Sequence, residues 1–259
     1  MLINFEKYHG TGNDFIMIDN RDNHFPKQNQ ALIAQWCTRR FGIGADGLIL
    51  LENHPDKKID FKMVYFNADG RESTMCGNGG RCILAFAHSK GIFKEKTVFE
   101  AIDGLHEGNV NEESISIKMK DVNEIEAIST TEYFLDTGSP HFVKIVDEFP
   151  ENFTEQARTI RNNDRFKAEG VNVNFIIPNK ANLKIRTFER GVEDETFSCG
   201  TGAVAAAVCN AFLNNELATK ISTLGGTLKV GLTKNNHNFS NIWLTGSAVK
   251  VFEGSFKVF

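Results

Sequence analysis

One short motif occurs twice in this sequence and restricts how the chain can fold. Residues 75–81 read Met-Cys-Gly-Asn-Gly-Gly-Arg, and residues 198–203 read Ser-Cys-Gly-Thr-Gly-Ala. In both copies an apolar, alanine-rich run follows, which predicts a helix that begins just after the cysteine. Because the first turn of a helix has unpaired N–H groups and a positive dipole end, a thiolate is favoured there. We therefore expect the two cysteines, Cys76 and Cys199, to act together.

The order of predicted elements around this motif also repeats. Helices are predicted over 31–41 and 81–88 in the first half and over 154–162 and 203–213 in the second, each preceded by a strand or a turn. A period this long is not that of a solenoid, and it indicates an internal duplication. The repeat predicts two similar α/β halves that join near 120–128, with the active site in the cleft between them.

Composition excludes several classes of protein. The chain has 259 residues, of which 41% are hydrophobic and 24% charged, and its net charge is −4. These values are typical of globular proteins and disfavour binding to nucleic acid or to an anionic membrane. No apolar run is long enough to span a membrane, and the N-terminal residues lack the pattern of a signal peptide. We expect a cytoplasmic protein.

The five cysteines do not indicate a disulfide framework or a zinc site. Their number is odd, there is no Cys-x-x-Cys, and the seven histidines are scattered. We therefore predict no bound metal. Cys37, Cys82 and Cys209 lie in apolar helical patterns and are interpreted as small buried residues.

A glycine pattern over 42–47 matches the letters of a dinucleotide-binding fingerprint. It follows a predicted helix and leads into a strand, whereas the fingerprint requires a strand, a turn and then a helix. The sequence also has no Gly-x4-Gly-Lys-Ser/Thr loop. Nucleotide binding and phosphate transfer are therefore not predicted.

The paired cysteines favour acid–base chemistry over nucleophilic chemistry. A nucleophilic cysteine needs one thiol and a histidine base, and no histidine is repeated beside Cys76 and Cys199. Two equivalent thiols suit the removal of a proton from one face of a carbon and its return to the other face. During this proton transfer, the N-termini of the two helices would bind the α-carboxylate of the substrate. The alternative is that both are ordinary small residues at helix starts.

Several polar residues near these motifs have two possible interpretations. Glu189 and Arg190 are either a solvated pair or a substrate contact in which arginine binds a carboxylate. His141 is either an exposed turn histidine or a neighbour that affects a thiol. Asparagines in glycine-rich turns are mostly turn formers, and four of them occur here: Asn13, Asn67, Asn78 and Asn172.

Taken together, these motifs resemble those of the diaminopimelate epimerase family, in family order and over nearly the full chain. The segments that carry the resemblance are residues 9–15, 66–70, 75–81, 138–141, 189–191 and 198–202. The resemblance implies an isomerase that needs no cofactor and interconverts LL- and meso-diaminopimelate in lysine and peptidoglycan-precursor synthesis. It also implies a homodimer and an α/β (α+β) fold of two pseudo-symmetric domains, each a β-barrel-like mixed sheet around a central helix. The domains would be 1–121 and 122–259, with residues 249–259 possibly joining the first.

The resemblance assigns roles to individual positions. Cys76 and Cys199 would be base and acid, exchanging roles with the direction of reaction. Backbone N–H groups toward the substrate carboxylate would come from Gly77, Asn78, Gly200 and Thr201. The substrate would be surrounded by Asn13, Asn67, Asn172, Glu189 and Arg190, with Arg190 on the distal carboxylate. His141 and Glu189 would be polar groups near the thiols that support catalysis.

The chain departs from the family pattern at three places. Gly47 stands where many members have a glutamine, Ser139 stands where many have asparagine, and one residue is added between Arg190 and Cys199. Two rivals stay open. A proline racemase or hydroxyproline epimerase shares the fold and the thiol pair but resembles Cys-Gly-His-Gly at the first cysteine, whereas this chain has Asn78. A redox-responsive amino-acid-binding protein would hold a ligand without converting it.

Overall fold

The computed structural model of the protein describes residues 2–112 and 114–257. Across these ranges the chain forms four α-helices and eighteen β-strands. The helices are α1 (Gln30–Cys37), α2 (Gly77–Ser89), α3 (Phe153–Arg161) and α4 (Gly200–Asn214). The strands are β1 (Leu2–Gly10), β2 (Asn13–Asp19), β3 (Gly47–Glu52), β4 (Phe61–Asn67), β5 (Glu72–Ser73), β6 (Lys96–Ala101), β7 (Gly104–Val110), β8 (Ile115–Lys118), β9 (Glu126–Ala127), β10 (Glu132–Asp136), β11 (Pro140–Ile145), β12 (Asn172–Asn179), β13 (Asn182–Glu189), β14 (Asp194–Thr196), β15 (Ala218–Thr223), β16 (Gly226–Asn235), β17 (Asn238–Gly246) and β18 (Val249–Lys257).

Two compact units divide the chain. One comprises the chain up to Ile117 together with the chain from Gly246 onward, and the other is Lys118–Thr245. As independently folding domains, the segments 1–121 and 122–259 stay a prediction. Residues 258 and 259 of the predicted C-terminal strand lie outside the described residues. In the described part, no helix has the length and apolarity needed to cross a bilayer.

The first unit is a mixed sheet with α2 packed against it. Strand β1 lies antiparallel between β18 and β2, and β2 continues parallel to β3. Strands β3 and β4 are antiparallel, β4 and β6 are parallel, and β6 and β7 form a hairpin. Helix α2 contacts β1, β2, β3 and β7. All six residues of β3 are buried, which explains why its sequence is nearly continuous in Leu and Ile.

The second unit repeats these pairings. Strand β11 is antiparallel to β10 and parallel to β12, as β2 is to β1 and β3. Strand β13 is antiparallel to β12 and parallel to β15, which forms a hairpin with β16. Helix α4 contacts β10–β13 and β15–β16, and it is buried over most of its length. Such a helix, apolar on all sides, is stable only inside a core.

Each unit also has a second apolar core on the outer side of its sheet. In the first unit this core surrounds the fully buried Trp36 of α1, whose ring packs against Phe25 and Phe256. In the second unit it surrounds Phe153 of α3, whose ring meets Phe175 edge to face. The two sheets are thus covered by a short helix on one face and by a cysteine helix on the other.

The expected fold class is confirmed: the protein has a mixed α+β fold with a large mixed sheet and few helices. Within the described residues the strand pairings leave the sheets open, so they do not close into barrels. The predicted helix 31–41 was wrong at its end, because α1 stops at Cys37. Thr38 takes an extended conformation, and the Gly44 N–H donates to the carbonyl of Trp36, which folds the loop back.

Candidate active site

Cys76 caps the N-terminus of α2. Its backbone is extended (φ −107°, ψ 149°), and its Sγ accepts a hydrogen bond from the N–H of Gly79 at 3.2 Å. The thiol therefore occupies the place that a Ser or Asp side chain has in an ordinary helix cap. A negative sulfur is favoured there because the N–H groups of the first turn point toward it.

The glycines of this turn make room for the thiol. A Cβ atom at Gly79 would lie 3.2 Å from the Sγ of Cys76 and 3.2 Å from the Cδ1 of Ile49 on β3. A Cβ atom at Gly80 would approach the Cδ1 of Ile117 to 2.4 Å. The 3.2 Å contacts at Gly79 are tight but can relax through small shifts, whereas the 2.4 Å approach at Gly80 would force the Ile117 side chain to move.

Two predicted site residues of the first unit, Asn13 and Asn78, are joined at this turn, and a third, Asn67, ends strand β4. The Nδ2 of Asn78 donates to the Oδ1 of Asn13 at 3.4 Å, so helix α2 and strand β2 are joined. The strand register pairs Phe15 with Gly47 and Gly47 with Asn67, which puts the starts of β2 and β3 next to the end of β4. Asn67 is exposed and closes a turn through its N–H and carbonyl.

Charged residues that sequence reasoning missed hold Asn13 in place. The Nδ2 of Asn13 donates to the Oδ2 of Asp46 at 2.7 Å, and Arg39 donates to both Asp14 and Asp46. Lys7 is buried, forms an ion pair with Asp14 at 2.8 Å and donates to the carbonyl of Gly44. Burial alone would raise the pKa of Asp14, but hydrogen bonds from Arg39 and Lys7 outweigh it and hold that pKa far below its usual range.

Cys199 caps α4 in the same way. Its backbone is extended (φ −115°, ψ 117°), and its Sγ accepts from the N–H of Gly202 at 3.4 Å. The Oγ1 of Thr201 also lies 3.4 Å from this sulfur. A Cβ atom at Gly202 would lie only 2.6 Å from the Oδ1 of Asn174, so glycine is required here.

A buried amide–imidazole cluster lies behind Cys199. Asn174, a residue that sequence reasoning missed, is fully buried; its Nδ2 lies 3.0 Å from the Nδ1 of His141, and its Oδ1 accepts from Thr187 at 3.0 Å. The Nδ2 of Asn172 donates to the Oγ of Ser139 at 2.8 Å, and its Oδ1 accepts from the N–H of Arg190 at 2.9 Å. Both the nitrogen and the oxygen of the Asn172 amide are therefore held by hydrogen bonds.

His141 is a fully buried neutral base. The interpretation of it as an exposed turn histidine was wrong, because β11 carries it into the core. Burial lowers its pKa from 6.5 to about 3, and the charge of Arg190 adds to this effect while that of Asp136 opposes it. At neutral pH this imidazole therefore carries no charge and acts only through hydrogen bonds.

Glu189 ends strand β13 beside this cluster, and Arg190 follows it. The Oε1 of Glu189 accepts from the Oγ1 of Thr196 at 2.6 Å. The guanidinium of Arg190 is exposed and donates to the carbonyl of Glu169 at 3.0 Å. A Cβ atom at Gly170 would lie 2.6 Å from the Cδ of Arg190, so the absence of a side chain at Gly170 leaves room for the Arg190 side chain.

The departure at Gly47 has a local cause. A Cβ atom there would lie 2.6 Å from the carbonyl oxygen of Phe66 and 2.6 Å from the Cε2 of Tyr65. The aromatic ring of Tyr65 packs edge to face on Phe15 and fills the space beside Gly47. A side chain at 47 would have to displace this ring. At the other departure, Ser139 supplies a hydroxyl that binds Asn172.

The remaining cysteines are not part of either thiol site. Cys37, Cys82 and Cys209 are buried free thiols, which confirms their interpretation as small core residues. Burial raises the pKa of Cys37 to about 12 and raises those of Cys82 and Cys209 further. Groups that ionise with such difficulty are unsuited to proton transfer at neutral pH.

Comparison with known proteins identifies the family. The family model described as Diaminopimelate epimerase matches residues 5–124 and 133–251 of this chain, so it spans both cysteine helices.

The chain belongs to the diaminopimelate epimerase family. The diaminopimelate epimerase of Flavobacterium psychrophilum is 53% identical over 95% of this chain and 97% of its own length. That of Chlorobaculum tepidum is 43% identical over 95% of this chain and 98% of its own length. The predicted membership of the diaminopimelate epimerase family, and with it the prediction of an isomerase, is confirmed.

Solved structures show the same fold at low sequence identity. A phenazine biosynthesis protein of the PhzF family from Bacillus anthracis superposes with a TM-score of 0.78 at 15% identity, over 100% of both chains. A hydroxyproline epimerase from Agrobacterium vitis superposes with a TM-score of 0.65 at 14% identity, over 98% of this chain and 91% of its own. The fold of the diaminopimelate epimerase family is thus shared with proteins of other named activities.

Proposed function

We propose that this protein interconverts LL-2,6-diaminopimelate and meso-diaminopimelate, with Cys76 and Cys199 as base and acid. One thiolate removes the proton from the α-carbon, and the other thiol delivers a proton to the opposite face. The carbon–hydrogen bond breaks and forms again without net oxidation, so the two thiols exchange protonation states in each turnover. In the reverse direction they exchange roles.

The observation that carries this proposal is the matched pair of thiol caps. Cys76 and Cys199 each cap an α-helix, and each sulfur accepts from the N–H three residues later. Removal of an α-proton puts negative charge onto the neighbouring carboxylate. The N–H groups in the first turn of each helix, at Gly77, Asn78, Gly200 and Thr201, would donate to that charge without rearrangement during the reaction.

The side chains around the caps supply the contacts to the rest of the substrate. Asn13, Asn67 and Asn172 offer amides to its amino and carboxylate groups. Arg190 is exposed, and its fork of donors suits the distal carboxylate. Glu189 suits an ammonium group. His141, which is neutral and buried, fixes the layer behind Cys199 and supports catalysis through Asn172 and Asn174.

The decisive experiment is proton NMR of LL-diaminopimelate incubated with the protein in D2O. We expect loss of the α-proton signal and appearance of the meso form. Cys76→Ala and Cys199→Ala should each lower epimerisation by about 10²- to 10⁴-fold, which is the usual contribution of a positioned acid or base. Circular dichroism of both variants controls for folding. Full activity of either folded variant would contradict the two-thiol mechanism.

The same experiment separates the rival functions. Exchange with hydroxyproline or proline, but not with diaminopimelate, would assign the proline racemase and hydroxyproline epimerase activity instead. Binding of an amino acid without any exchange of its α-proton would favour a redox-responsive binding protein. Asn78 favours diaminopimelate as the substrate. Its side chain is hydrogen-bonded to Asn13 and Arg81 in an arrangement that a histidine would not reproduce.

We further propose that the protein acts in the cytoplasm as a homodimer in lysine and peptidoglycan-precursor synthesis. Its family membership supports the pathway. Light scattering coupled to size-exclusion chromatography tests the dimer, since a mass near 28.9 kDa would indicate a monomer and twice that mass a dimer. Growth of a strain that requires diaminopimelate, restored by this gene but not by its Cys76→Ala form, tests the pathway.

A further inference from the structure

The turn between strands β13 and β14 carries Arg190 and has a constrained backbone. It comprises residues 190–193, and φ is positive at Gly191 (90°) and at Glu193 (59°). The left-handed region suits glycine, but a residue with a side chain stays there only where other contacts hold it. Contacts that fix Glu193 are therefore expected.

Glu193 closes this turn with its backbone and with its carboxylate. Its N–H donates to the carbonyl of Glu189 at 2.8 Å, and its Oε1 accepts from the N–H of Gly191 at 3.1 Å. The same oxygen accepts from the Nε of Arg161 at 3.3 Å and lies 3.2 Å from its Nη2. One carboxylate oxygen thus joins the residue that follows Arg190 to the end of helix α3.

Arg161 anchors this carboxylate to the second unit. It is the last residue of α3, where the helix dipole favours a cation, and only 16% of its side chain is exposed. A guanidinium at this depth needs an opposite charge, because the loss of its hydration is costly. Glu193 supplies that charge and is the more exposed partner, at 45%. The ion pair is therefore held from its inner end.

The side chains of Arg161 and Arg190 meet above Gly170. A Cβ atom at this glycine would lie 2.9 Å from the Cζ of Arg161 and 2.6 Å from the Cδ of Arg190. The absence of a side chain there lets both arginines pack on the same spot. The backbone N–H of Arg190 donates to the Oδ1 of Asn172, and its Nη1 donates to the carbonyl of Glu169 at 3.0 Å. Arg190 is thus held at its backbone, along its stem and at its head.

Glu193 also affects the electrostatics around Arg190. Two arginine side chains that pack this closely bring like charges together, and the repulsion falls when an anion binds one of them. Glu193 binds Arg161. Arg190 donates to a carbonyl, which does not neutralise its charge. That charge is available to a ligand, and a carboxylate is the group that the fork of guanidinium donors fits best.

We propose that Arg161 and Glu193 are positioning residues that orient Arg190 toward the distal carboxylate of the substrate. Without this ion pair the turn would move more freely, and Arg190 would bind the carboxylate in fewer of its conformations. The inference rests on the proposed function for the identity of that carboxylate. It also gives a role to one departure from the family pattern, since the segment between Arg190 and Cys199 is one residue longer here and Glu193 holds it.

The test is steady-state kinetics of diaminopimelate epimerisation in Glu193→Gln, which keeps an acceptor for the N–H of Gly191 but removes the charge. We expect KM to rise about three- to tenfold, the effect of one lost hydrogen bond or partly exposed ion pair. The value of kcat should stay within about twofold, because a contact to the distal carboxylate is equal in the ground state and the transition state. Arg161→Met should behave alike, and Arg161→Lys should lie near wild type.

Two controls separate positioning from a general loss of stability. Glu126→Gln breaks an ion pair with Arg165 elsewhere in the second unit, whose carboxylate is about as exposed as that of Glu193, and it should leave KM unchanged. In an Arg190→Met background, Glu193→Gln should cause no further rise in KM, because the group that it orients is gone. An equal rise in both backgrounds, or an unchanged KM in folded Glu193→Gln, would overturn the proposal. If Arg190→Met is too weak to measure, the single variants decide, and a fall in kcat at constant KM overturns it.

Binding measurements separate this proposal from the proposed function. Isothermal titration calorimetry with meso-diaminopimelate needs no turnover, and Glu193→Gln should weaken binding by the same factor by which it raises KM. If Glu193→Gln binds diaminopimelate more weakly than wild type but wild type does not convert it, the proposed function fails and the positioning role stands. If wild type converts it and Glu193→Gln binds it equally well, the positioning role fails and the proposed function stands. If wild type neither binds nor converts it, both fail.

Discussion

The same pair of parallel strands occurs in both units, with different polar chemistry. Asp14 and Asp46 directly precede Phe15 and Gly47, the first residues at which β2 and β3 pair with each other, whereas His141 and Asn172 are themselves the first paired residues of β11 and β12. The first pair consists of carboxylates bound by charged partners, of which Arg39 is largely exposed. The second is neutral and buried. The comparison shows that the start of such a strand pair can carry either charged or neutral polar residues, provided that charge is kept where water or a counter-ion reaches it.

The largest expected effect is a dependence of stability on pH that arises from His141 in the second unit. In the unfolded chain His141 gains a proton below its ordinary pKa of 6.5, whereas in the fold its pKa is about 3. Between these values the unfolded state binds more protons, so the free energy of unfolding falls as the pH falls. The slope from this one group approaches about 1.4 kcal/mol per pH unit.

Urea unfolding at a series of pH values measures this effect. His141→Gln should be less stable than wild type at neutral pH, because it alters the contact with Asn174, but its stability should fall less steeply through the window. Equal slopes for the two proteins would show that His141 is not the group responsible.

The next effect compares the two glycines that adjoin the thiols. In Gly202→Ala the new Cβ atom would meet the Oδ1 of Asn174, which is itself held by His141 and Thr187, so we expect a loss of about 1–3 kcal/mol. In Gly79→Ala the contacts are longer and can relax, and alanine favours a helix by up to about 1 kcal/mol. Thermal or urea unfolding should therefore show a clear loss only for Gly202→Ala. Comparable losses would mean that both caps are equally rigid.

A smaller effect concerns the amides of Asn13 and Asn172, which we propose bind the substrate. Asp46→Ala removes the carboxylate that accepts from Asn13, whereas Ser139→Ala leaves Asn172 with the carbonyl of Pro140 as an acceptor. A hydrogen bond to a charged group contributes about 1.5–3 kcal/mol, so Asp46→Ala should raise KM roughly tenfold or more. Ser139→Ala should raise it by no more than about threefold. The reverse order would place the main positioning of substrate in the second unit.

The smallest expected effect concerns the ion pairs that Asp14 forms in the first unit. The lowered pKa of Asp14 stabilises the fold above its ordinary value of 3.8, and this contribution is lost as the pH falls from 3.8 toward the lower folded value. Arg39→Met should move the acid-unfolding midpoint to higher pH while costing less than about 1 kcal/mol at neutral pH, because Arg39 is largely exposed. Lys167→Met, which breaks an exposed pair with Asp164, is the control and should leave the midpoint unchanged. An unmoved midpoint in Arg39→Met would contradict this account.

Local sequence was sufficient to predict the thiol caps. A cysteine, a Gly-x-Gly and an alanine-rich run specify a helix start through near neighbours alone, and both α2 and α4 begin directly after their cysteines. The alternation Val-Asn-Val-Asn before Phe175 also contained the buried pair, since residues two apart in a strand share a face. That signal would have found Asn174 beside Asn172.

Long-range contacts decided what local patterns could not. The end of α1 depends on Arg39 reaching Asp14 and Asp46, which lie in other elements. The burial of His141 depends on the strands beside β11, and a sequence pattern in a glycine turn does not show it. Likewise, nothing local indicates that Arg81 is fully buried and lies against Gly10 at the end of β1.

The pairing of β18 with β1 has a consequence for synthesis. Strand β1 is synthesised long before its partner, the strand over residues 249–257. The segment Lys118–Thr245 is contiguous and is complete earlier, so it has the opportunity to fold co-translationally. Until β18 arrives, β1 presents an unpaired edge that other nascent chains can join. A chain that is truncated before residue 249 would therefore be prone to aggregate, even though it contains both thiol helices.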